Sequence, residues 1–465
     1  MADTVADPKP APELPEHYFR HEFGRLVSVL SRRFGMHRVE LCEDAVQTAL
    51  LRAVQFWPQG GLPDDKSAWL YRVAVNEVLG ALRRTKRIDA SVEDAGEVAD
   101  DANVEEAVHL EHEVRDDQLR MLFVCANPGI PRESQIVFAL KILCGFGVEE
   151  IALRLFQSDE AIYKRLQRAR AALREHIEEL DTPRIEELAS RLPAVLEILY
   201  LLFTEGYSSA QPDKLIRHEL CEEAIRLGQL LAEHAVGAAP EVDALLALMY
   251  FDAARFESRV DGTGGLLLLE EQDRSLWDRE LIQIGISCLH RAARGEIFTR
   301  YHAEAAIAAE HCLAPTYAET RWDEIARLYQ MLESVSPSPI NTLNRSIAIA
   351  EWQGPEAGLA LLEALKPPPW LLGYYLWDAT LGELYRRSGN RERATTHLAR
   401  ALDAAPTQAE RALLRRRLEA CSIPGEGHIA IWHEKCKTRP YGKHDPGSTT
   451  GIHRRRGILA SAHYG

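Results

Sequence analysis

Carboxylates and histidines in the C-terminal half are the side chains with the most obvious catalytic potential. They are Glu205, Glu270, Glu271, Asp273, Asp278, His302 and His311. Paired carboxylates can move protons in acid–base catalysis, and together with imidazole they can hold a metal ion. However, His302 and His311 lack H-x-x-x-H spacing, and no nucleophile motif or glycine-rich phosphate loop accompanies them. We therefore expect no enzyme, metal site or cofactor, and interpret Glu205 and Asp273 as arginine partners or helix caps.

Two clusters of basic side chains suit a different chemistry, the binding of nucleic-acid phosphates. The first contains Arg83, Arg84, Lys86 and Arg87, and the second contains Lys164, Arg165, Arg168, Arg170 and Arg174. Between them, residues 88–117 hold twelve acids and the single base Arg115, which is typical of a solvated linker. Either cluster alone could be a solvated helix end. Two basic segments joined by an acidic tether favour nucleic-acid binding.

Three predicted helices position the first basic cluster. The first has its apolar face at Phe19, Phe23, Leu26, Val27 and Leu30. The second runs from about Val39 to Phe56 and ends at Trp57-Pro58, because proline disfavours helical geometry in the residue before it. The third is capped by Ser67. Its apolar face leaves Arg72, Asn76, Arg83 and Arg84 outside, and Trp69 either packs in the core or stacks on an unpaired base.

Residues 148–170 have the pattern of a helix-turn-helix. Ile151, Ala152, Leu155, Ile162 and Leu166 form the predicted shared core, and Ser158 caps the second helix. The side chains left to project outward are Asp159, Glu160, Tyr163, Lys164, Arg165 and Arg168. Such a helix fits the major groove, with its first residues near base edges and later cations near phosphates. An αα-hairpin of a helical repeat remains the alternative.

Taken in order, the first segments resemble an extracytoplasmic-function (ECF) sigma factor, which directs bacterial RNA polymerase to promoters. Asp44–Gln47, Leu51–Ala53 and Phe56–Pro58 are similar to sigma region 2.1–2.2. The resemblance implies that Asp44, Gln47 and Arg52 contact the β′ clamp helices of the core enzyme. Ala68–Ala74 through Arg84 is similar to regions 2.3–2.4. The implied DNA contacts, which melt and read the downstream promoter element, are Trp69, Arg72, Asn76, Arg83, Arg84 and Arg87.

The second basic segment resembles sigma region 4, through 116–123, 150–152 and 165–170. By that resemblance Asp159, Glu160, Lys164, Arg165 and Arg168 read the upstream promoter element, and the opposite surface sits on the β flap. The acidic linker can occupy the basic RNA exit path of polymerase. Two residues depart from the family pattern: Phe156 stands where a turn glycine is common, and Ala126-Asn-Pro-Gly129 replaces Cys-His-Pro beside Cys125.

The remaining half of the chain resembles the helical extension of one sigma subgroup. The motifs are Pro193–Tyr207 and Leu266–Asp278, whose Tyr200, Phe203, Tyr207 and Trp277 we interpret as interhelical core. Gly354 and Gly389 lie 35 residues apart, close to the tetratricopeptide period of about 34. Two such units do not stand alone, so we expect them to stack on the helices before them.

We therefore predict an all-α protein of several domains. They are a region 2 module over 15–88, an acidic linker over 89–116, a region 4 helix-turn-helix over 117–180, a helical extension over 185–335, tetratricopeptide-like repeats over 336–420 and a disordered basic tail over 421–465. The extension is expected to modulate activity in cis, with a regulator as a possible partner. One alternative is a tetratricopeptide-type DNA-binding adaptor or ligand sensor that acts without polymerase. Another is a sigma-like scaffold that has lost DNA binding.

Composition bounds the class of protein. The 465 residues carry 55 Lys+Arg against 70 Asp+Glu, hence a net charge of −15, with 46% hydrophobic residues. This balance argues against a protein that coats nucleic acid indiscriminately. No apolar run approaches the roughly 20 residues of a membrane span, and Met1–Pro15 lacks a signal-peptide pattern. Eight scattered cysteines without C-x-x-C favour buried thiols in a reducing compartment, so we expect a cytoplasmic protein without membrane contact.

Overall fold

The computed structural model describes residues 16–89, 110–155, 157–175, 185–208, 216–262, 265–405 and 407–422. In these ranges the fold is helical, and the β-type pairing is confined to an isolated antiparallel bridge between Val260 and Leu266. The all-α prediction is therefore confirmed. None of the helices in these ranges is long and apolar enough to cross a membrane.

The described chain divides into two compact units. The first contains the residues up to Ala152 and from Ser158 to Ile198, and the second contains the described part of 153–157 and the residues from Leu199 onward. The helices of the N-terminal module are α1 (Glu16–Phe34), α2 (Val39–Gly60) and α3 (Lys66–Asp89), with a 3-10 turn at Met36–Arg38. Those of the second module are α4 (Leu110–Cys125), α5 (Arg132–Ile142), α6 (Val148–Leu155) and α7 (Asp159–Glu175).

The apolar spacing of α1 builds the core of the first unit. Phe23, Leu26, Val27 and Leu30 are buried, as predicted, and α1 packs against both α2 and α4. Along the predicted helix-turn-helix, Ile151, Ala152, Leu155, Ile162 and Leu166 are buried, and the Ser158 hydroxyl accepts a hydrogen bond from the amide of Ala161. The predicted core and cap of this motif are therefore confirmed. Phe156, which departs from the family pattern, lies outside the described residues.

Two predicted helix ends are wrong. Helix α2 continues past Trp57 to Gly60, because Pro58 lies in its last turn, where few further backbone bonds depend on helical continuity. Gly61, with φ of 82°, then ends the helix. At α3 the Asp65 carboxylate, not Ser67, accepts the amide of Ala68 at 2.8 Å. The Ser67 hydroxyl donates instead to Glu22.

Part of the predicted acidic linker is helical. Residues 90–109 lie outside the described chain, but helix α4 already begins at Leu110. Asp117, predicted as a solvated acid, is 4% exposed and accepts a hydrogen bond from Arg32 at 3.2 Å. The prediction of a solvated side chain at this position is therefore wrong, because a cation from α1 compensates the buried charge.

The second unit is a succession of packed helices. Helix α8 (Ile185–Tyr207) begins in the first unit and ends in the second. The following helices are α9 (His218–Ala232), α10 (Pro240–Ala253), α11 (Arg279–Ala292), α12 (Arg300–Leu313), α13 (Trp322–Val335), α14 (Pro339–Gln353), α15 (Pro355–Ala364), α16 (Pro369–Leu372), α17 (Tyr375–Arg387), α18 (Arg391–Ala404) and α19 (Gln408–Ser422). Three-residue 3-10 turns lie at Ala235–Gly237, Phe256–Ser258 and Arg274–Leu276.

Helices α14–α15 and α17–α18 form two hairpins, each turned by one of the glycines 35 residues apart. Gly354 and Gly389 have φ of 101° and 83°, a conformation that glycine adopts without strain. The hairpins share a core that includes Leu343, Trp377 and Leu398. Leu266 and Leu268, from the loop before α11, pack against that core. Helix α13 also packs against α14, so the repeats contact a helix before them, as expected. Helix α19 still includes Cys421 and Ser422, and 423–465 lie outside the described residues.

Candidate nucleic-acid and polymerase interface

Helix α3 exposes a basic face in the N-terminal module. Arg72, Asn76, Arg83 and Arg84 are exposed, opposite the buried Leu70, Ala74 and Val78. The side chain of Arg87 lies outside the described part of the chain. The exposed polar side chains can contact phosphates, because the opposite face of the helix packs in the core.

Trp69, the predicted stacking residue, is half-buried at the start of α3. Its ring meets that of the buried Trp57 edge-on, with centroids 5.5 Å apart. Part of the Trp69 ring therefore packs in the core, and the rest is accessible to solvent. Nearby, the Arg33 guanidinium donates to the Tyr71 hydroxyl at 2.8 Å, which fixes the end of α1 against α3.

Helix α2 exposes the three residues predicted to bind polymerase. Asp44, Gln47 and Arg52 are exposed, and Arg52 pairs with Glu77 of α3 at 2.6 Å. Apolar side chains of the same helix are exposed as well: Leu51, Val54 and Phe56 are 62%, 55% and 59% exposed. Leu51 and Phe56 belong to the segments that resemble region 2.1–2.2, whereas Val54 is identified by its spacing, because Asp44, Gln47, Leu51 and Val54 share one helical face outside the core stripe. Leu51 and Val54 thus expose apolar surface on the same face as Asp44 and Gln47.

Helix α7 exposes Asp159, Glu160, Tyr163, Lys164 and Arg168. The Lys164 ammonium donates to Glu160 at 2.7 Å, and this hydrogen bond lowers the pKa of the Glu160 carboxyl. Among these mostly charged residues Tyr163 has an aromatic side chain, and it is 56% exposed. The arrangement presents one aromatic ring and several charged groups along the first three turns of the helix, a set that can meet base edges and phosphates.

Arg165 does not project outward, and the prediction of its orientation is wrong. Its side chain is buried, and its guanidinium donates to Glu133 of α5 at 2.7 Å. Residue 165 borders the stripe of Ile162, Leu166 and Ala169, and α5 supplies the opposite charge that permits burial. Arg165 therefore joins α7 to α5 within the second module.

The N-terminal and second modules are joined by ion pairs. Arg170 of α7 contacts Glu43 of α2 and lies 3.1 Å from the Glu40 carboxylate, and Arg174 also donates to Glu40. Burial raises the pKa of the Glu43 carboxyl, and the neighbouring Arg170 opposes that rise. Further along α1, Arg20 donates to Glu150 at 2.9 Å. These contacts cross between segments more than a hundred residues apart in sequence.

The carboxylates that first invited a catalytic interpretation have structural partners. Asp273 caps the 3-10 turn through the Ser275 amide, and Asp278 accepts two amides at the start of α11. Glu205 lies 3.9 Å from Arg217. The expected capping and arginine pairing are therefore confirmed. Tyr200, Phe203, Tyr207 and Trp277 are buried, as expected of core residues.

Histidine and cysteine provide no obvious reactive centre in the described chain. His302 forms a capping box with Thr299, and the backbone oxygen of His311 accepts from Arg274. The seven cysteines within the described ranges are free and buried, and burial raises the pKa of the Cys42 thiol to about 12. Within those same ranges, no group of three or more His, Cys, Asp or Glu side chains could hold a metal ion.

Comparison with known proteins finds two families and one relative. Residues 19–88 match the family described as Sigma-70 region 2, a span that coincides with α1 to α3. Residues 191–293 match a family of unknown function (DUF6596). The chain is 38% identical over 383 residues to uncharacterized protein R00370 of Rhizobium meliloti (strain 1021), covering 82% of this chain and 90% of that protein. No solved structure matches the chain.

Proposed function

From the premise that this chain belongs to the sigma-70 family of sigma factors, we propose that it is an ECF-type member that selects promoters. The family places it in RNA polymerase binding and transcription initiation. The observation that carries the proposal is the coincidence of the region 2 match with one complete module, α1 to α3. Helix α7, the proposed recognition helix of a helix-turn-helix, follows in the same compact unit, which supports the reading of two promoter elements by one chain.

The α3 face is the proposed reader of the downstream promoter element. Arg72, Asn76, Arg83 and Arg84 are exposed along it, with Arg87 following in sequence. Cations at this end hold the phosphates and fix the register of the helix, whereas Asn76 and the exposed edge of Trp69 can contact bases. Tyr71 is held by Arg33, so this face is supported by α1.

The α7 face is the proposed reader of the upstream element. Asp159 and Glu160 stand at its first turn, where side chains reach base edges, and Lys164 and Arg168 follow toward the phosphates. Tyr163 joins this set because its exposed ring can contact a thymine methyl group. Arg165 acts on DNA only through the position of α7, because its side chain is committed to Glu133.

The α2 face is the proposed docking site for the β′ clamp helices of core RNA polymerase. Its polar contacts are Asp44, Gln47 and Arg52, as the family resemblance implies. Exposed Leu51 and Val54 add the apolar centre that a stable protein interface needs. The β flap is the proposed partner of the second module.

The helices from α9 onward are proposed to modulate initiation in cis rather than to catalyse a reaction. The capping role of Asp273 and the shared core of the hairpins α14–α15 and α17–α18 support this proposal, because helical hairpins that stack in this way suit protein contacts. An adaptor that binds DNA without polymerase is the competing assignment. Because the polymerase works in the bacterial cytoplasm, the proposed location is cytoplasmic.

Run-off transcription with purified core polymerase tests the proposal. The full chain should confer initiation at defined sites, and Lys164→Ala/Arg168→Ala should lower it at least tenfold at unchanged helicity. Lys366→Ala/Arg391→Ala removes the same charges from exposed positions of the second unit and serves as the matched control. A chain that binds duplex DNA but never confers initiation would be an adaptor instead.

A further inference from the structure

The cationic end of helix α7 is occupied by carboxylates of the N-terminal module. Arg170 contacts both Glu43 and Glu40, and Arg174 contacts Glu40. The Glu43 side chain is 3% exposed, whereas those of Glu40 and Arg174 are about half exposed. The junction therefore has a buried ion pair at its centre and a water-accessible pair at its edge.

Arg170 and Arg174 lie in line with the proposed DNA-reading face. Tyr163, Gln167, Arg170 and Arg174 are spaced by four, three and four residues, so they share one side of α7. In a helix that enters the major groove, the cations after the base-reading turns are those that meet phosphates. Their present partners are carboxylate oxygens, which accept charge-assisted hydrogen bonds from arginine as phosphate oxygens do.

The surrounding packing holds this arrangement in place. Helix α1 crosses the turn after α5 so closely that a β-carbon on Gly24 would lie 2.1 Å from the Leu143 carbonyl oxygen. The Arg20 guanidinium lies over the Phe146 ring, 5.4 Å from its centroid, and pairs with Glu150. A second ion pair joins Arg32 to Asp117. The two modules thus form a packed interface rather than a chance contact of side chains.

We propose that Glu40 and Glu43 substitute for DNA phosphates at Arg170 and Arg174, and so hold the second module in a closed, DNA-poor state. When the protein engages promoter and polymerase, the two arginines exchange the carboxylates for phosphates of the upstream element. The device rests on one part of the proposed function, the binding of DNA by α7, because only a DNA-binding α7 has phosphates to gain. Arg170 and Arg174 thereby become DNA contacts in addition to Lys164 and Arg168.

Salt-dependent binding of the full chain to a mixed-sequence DNA duplex, without polymerase, tests the device. Glu40→Gln/Glu43→Gln should bind about tenfold more tightly at about 0.1 M salt, because two phosphate contacts become available. The slope of log affinity against log salt should steepen by about 2. Adding Arg170→Ala/Arg174→Ala to this variant should return both the affinity and the salt slope to the wild-type values.

Glu356→Gln/Glu392→Gln is the matched control. It removes two exposed acids that lie outside the first unit. Like Glu40, each of them lies in the first turn of its helix. Affinity and slope equal to this control would overturn the proposal. Because Glu43 is buried, its substitution could disturb folding, so the single Glu40→Gln variant is measured as well. We expect it to bind DNA about threefold more tightly than the wild type. Unchanged affinity would contradict the device.

A parallel run-off assay separates the two hypotheses. In one outcome the wild-type protein initiates transcription, but the Glu→Gln variants bind DNA only as tightly as the control does. This result would support the sigma function and overturn the closed state. Tighter, salt-steep binding by those variants without any initiation would support the exchange of arginine partners and overturn the sigma assignment.

Discussion

Gly24 of α1 and Leu143 after α5 meet backbone to backbone, since a β-carbon on residue 24 would lie 2.1 Å from the Leu143 carbonyl oxygen. A contact this close requires glycine on one side. It draws α1 against the second module and brings Phe23, with its ring 5.9 Å from the Lys141 ammonium, into the same junction. The interface between the two modules thus depends on a residue without a side chain.

Gly24→Ala is expected to loosen this junction. The added methyl group cannot be accommodated without moving α1 or the turn, at a cost of about 1–3 kcal/mol. Hydrogen exchange of the amides in α1 and α4 measures it, since local opening shows as lost protection. Gly80→Ala in α3 is the control, because its β-carbon meets no atom closer than 3.7 Å and alanine favours a helix. Equal protection in both variants would contradict the tight crossing.

Arg165 and Arg168 are expected to differ although they are neighbours on α7. Arg165→Ala loses a buried guanidinium stem and its pair with Glu133, so we expect a loss of about 1 kcal/mol in stability. Arg168→Ala should leave the unfolding midpoint unchanged and weaken promoter binding several-fold by removing a phosphate contact. Unfolding and DNA titrations on both variants check this. The assignment fails if Arg165→Ala alone abolishes DNA binding while the fold stays fully stable.

Leu51 and Val54 are expected to contribute to polymerase binding. Leu51→Ser/Val54→Ser should weaken the affinity for core polymerase at least tenfold, because apolar anchors at an interface centre contribute about 1–2 kcal/mol each. Both side chains are already exposed, so stability should hardly change. Val335→Ser/Leu372→Ser alters two similarly exposed side chains in the second unit and should bind as the wild type does. Indistinguishable affinities for the two variants would rule out the α2 face as the docking site.

Glu351 is expected to make stability depend on pH near neutrality. Burial raises the pKa of its carboxyl to about 7, against the opposing effect of Arg387, and Glu270 and Tyr317 also face it. The folded state therefore binds the proton more tightly than the unfolded chain does. Stability is fully present below the unfolded value of about 4.5 and falls as pH rises to about 7, by up to about 3 kcal/mol.

Calorimetry at about pH 5 and pH 8 tests this expectation. Glu351→Gln should lose most of the wild-type decline in melting temperature between the two values. Glu356→Gln, an exposed acid at the start of the next helix, should keep the decline. Parallel curves for Glu351→Gln and the wild type would show that the Glu351 carboxyl does not titrate in this range.

Periodicity predicted the parts of this fold that depend on local pattern. The buried stripe of α1 and the shared core of α6 and α7 each follow from spacing within a few residues. The same reasoning identified the exposed Arg72 and Arg84 on α3, because a helix with one apolar face must leave the other in water.

The errors arise where a partner comes from elsewhere in the chain. The buried Arg165 pairs with Glu133, 32 residues earlier, and the buried Asp117 pairs with Arg32, 85 residues earlier. Spacing along one helix carries no information about such partners, so these charged side chains were expected in water. Arg170 illustrates the same limit, because its pairing with Glu43 spans 127 residues.

Mapping the 5′ ends of transcripts made on genomic DNA by core polymerase with the full chain tests the central claim most directly. A sigma factor predicts start sites that core enzyme alone does not use, preceded by two sequence elements at constant spacing. Start sites identical with and without the chain would contradict the account.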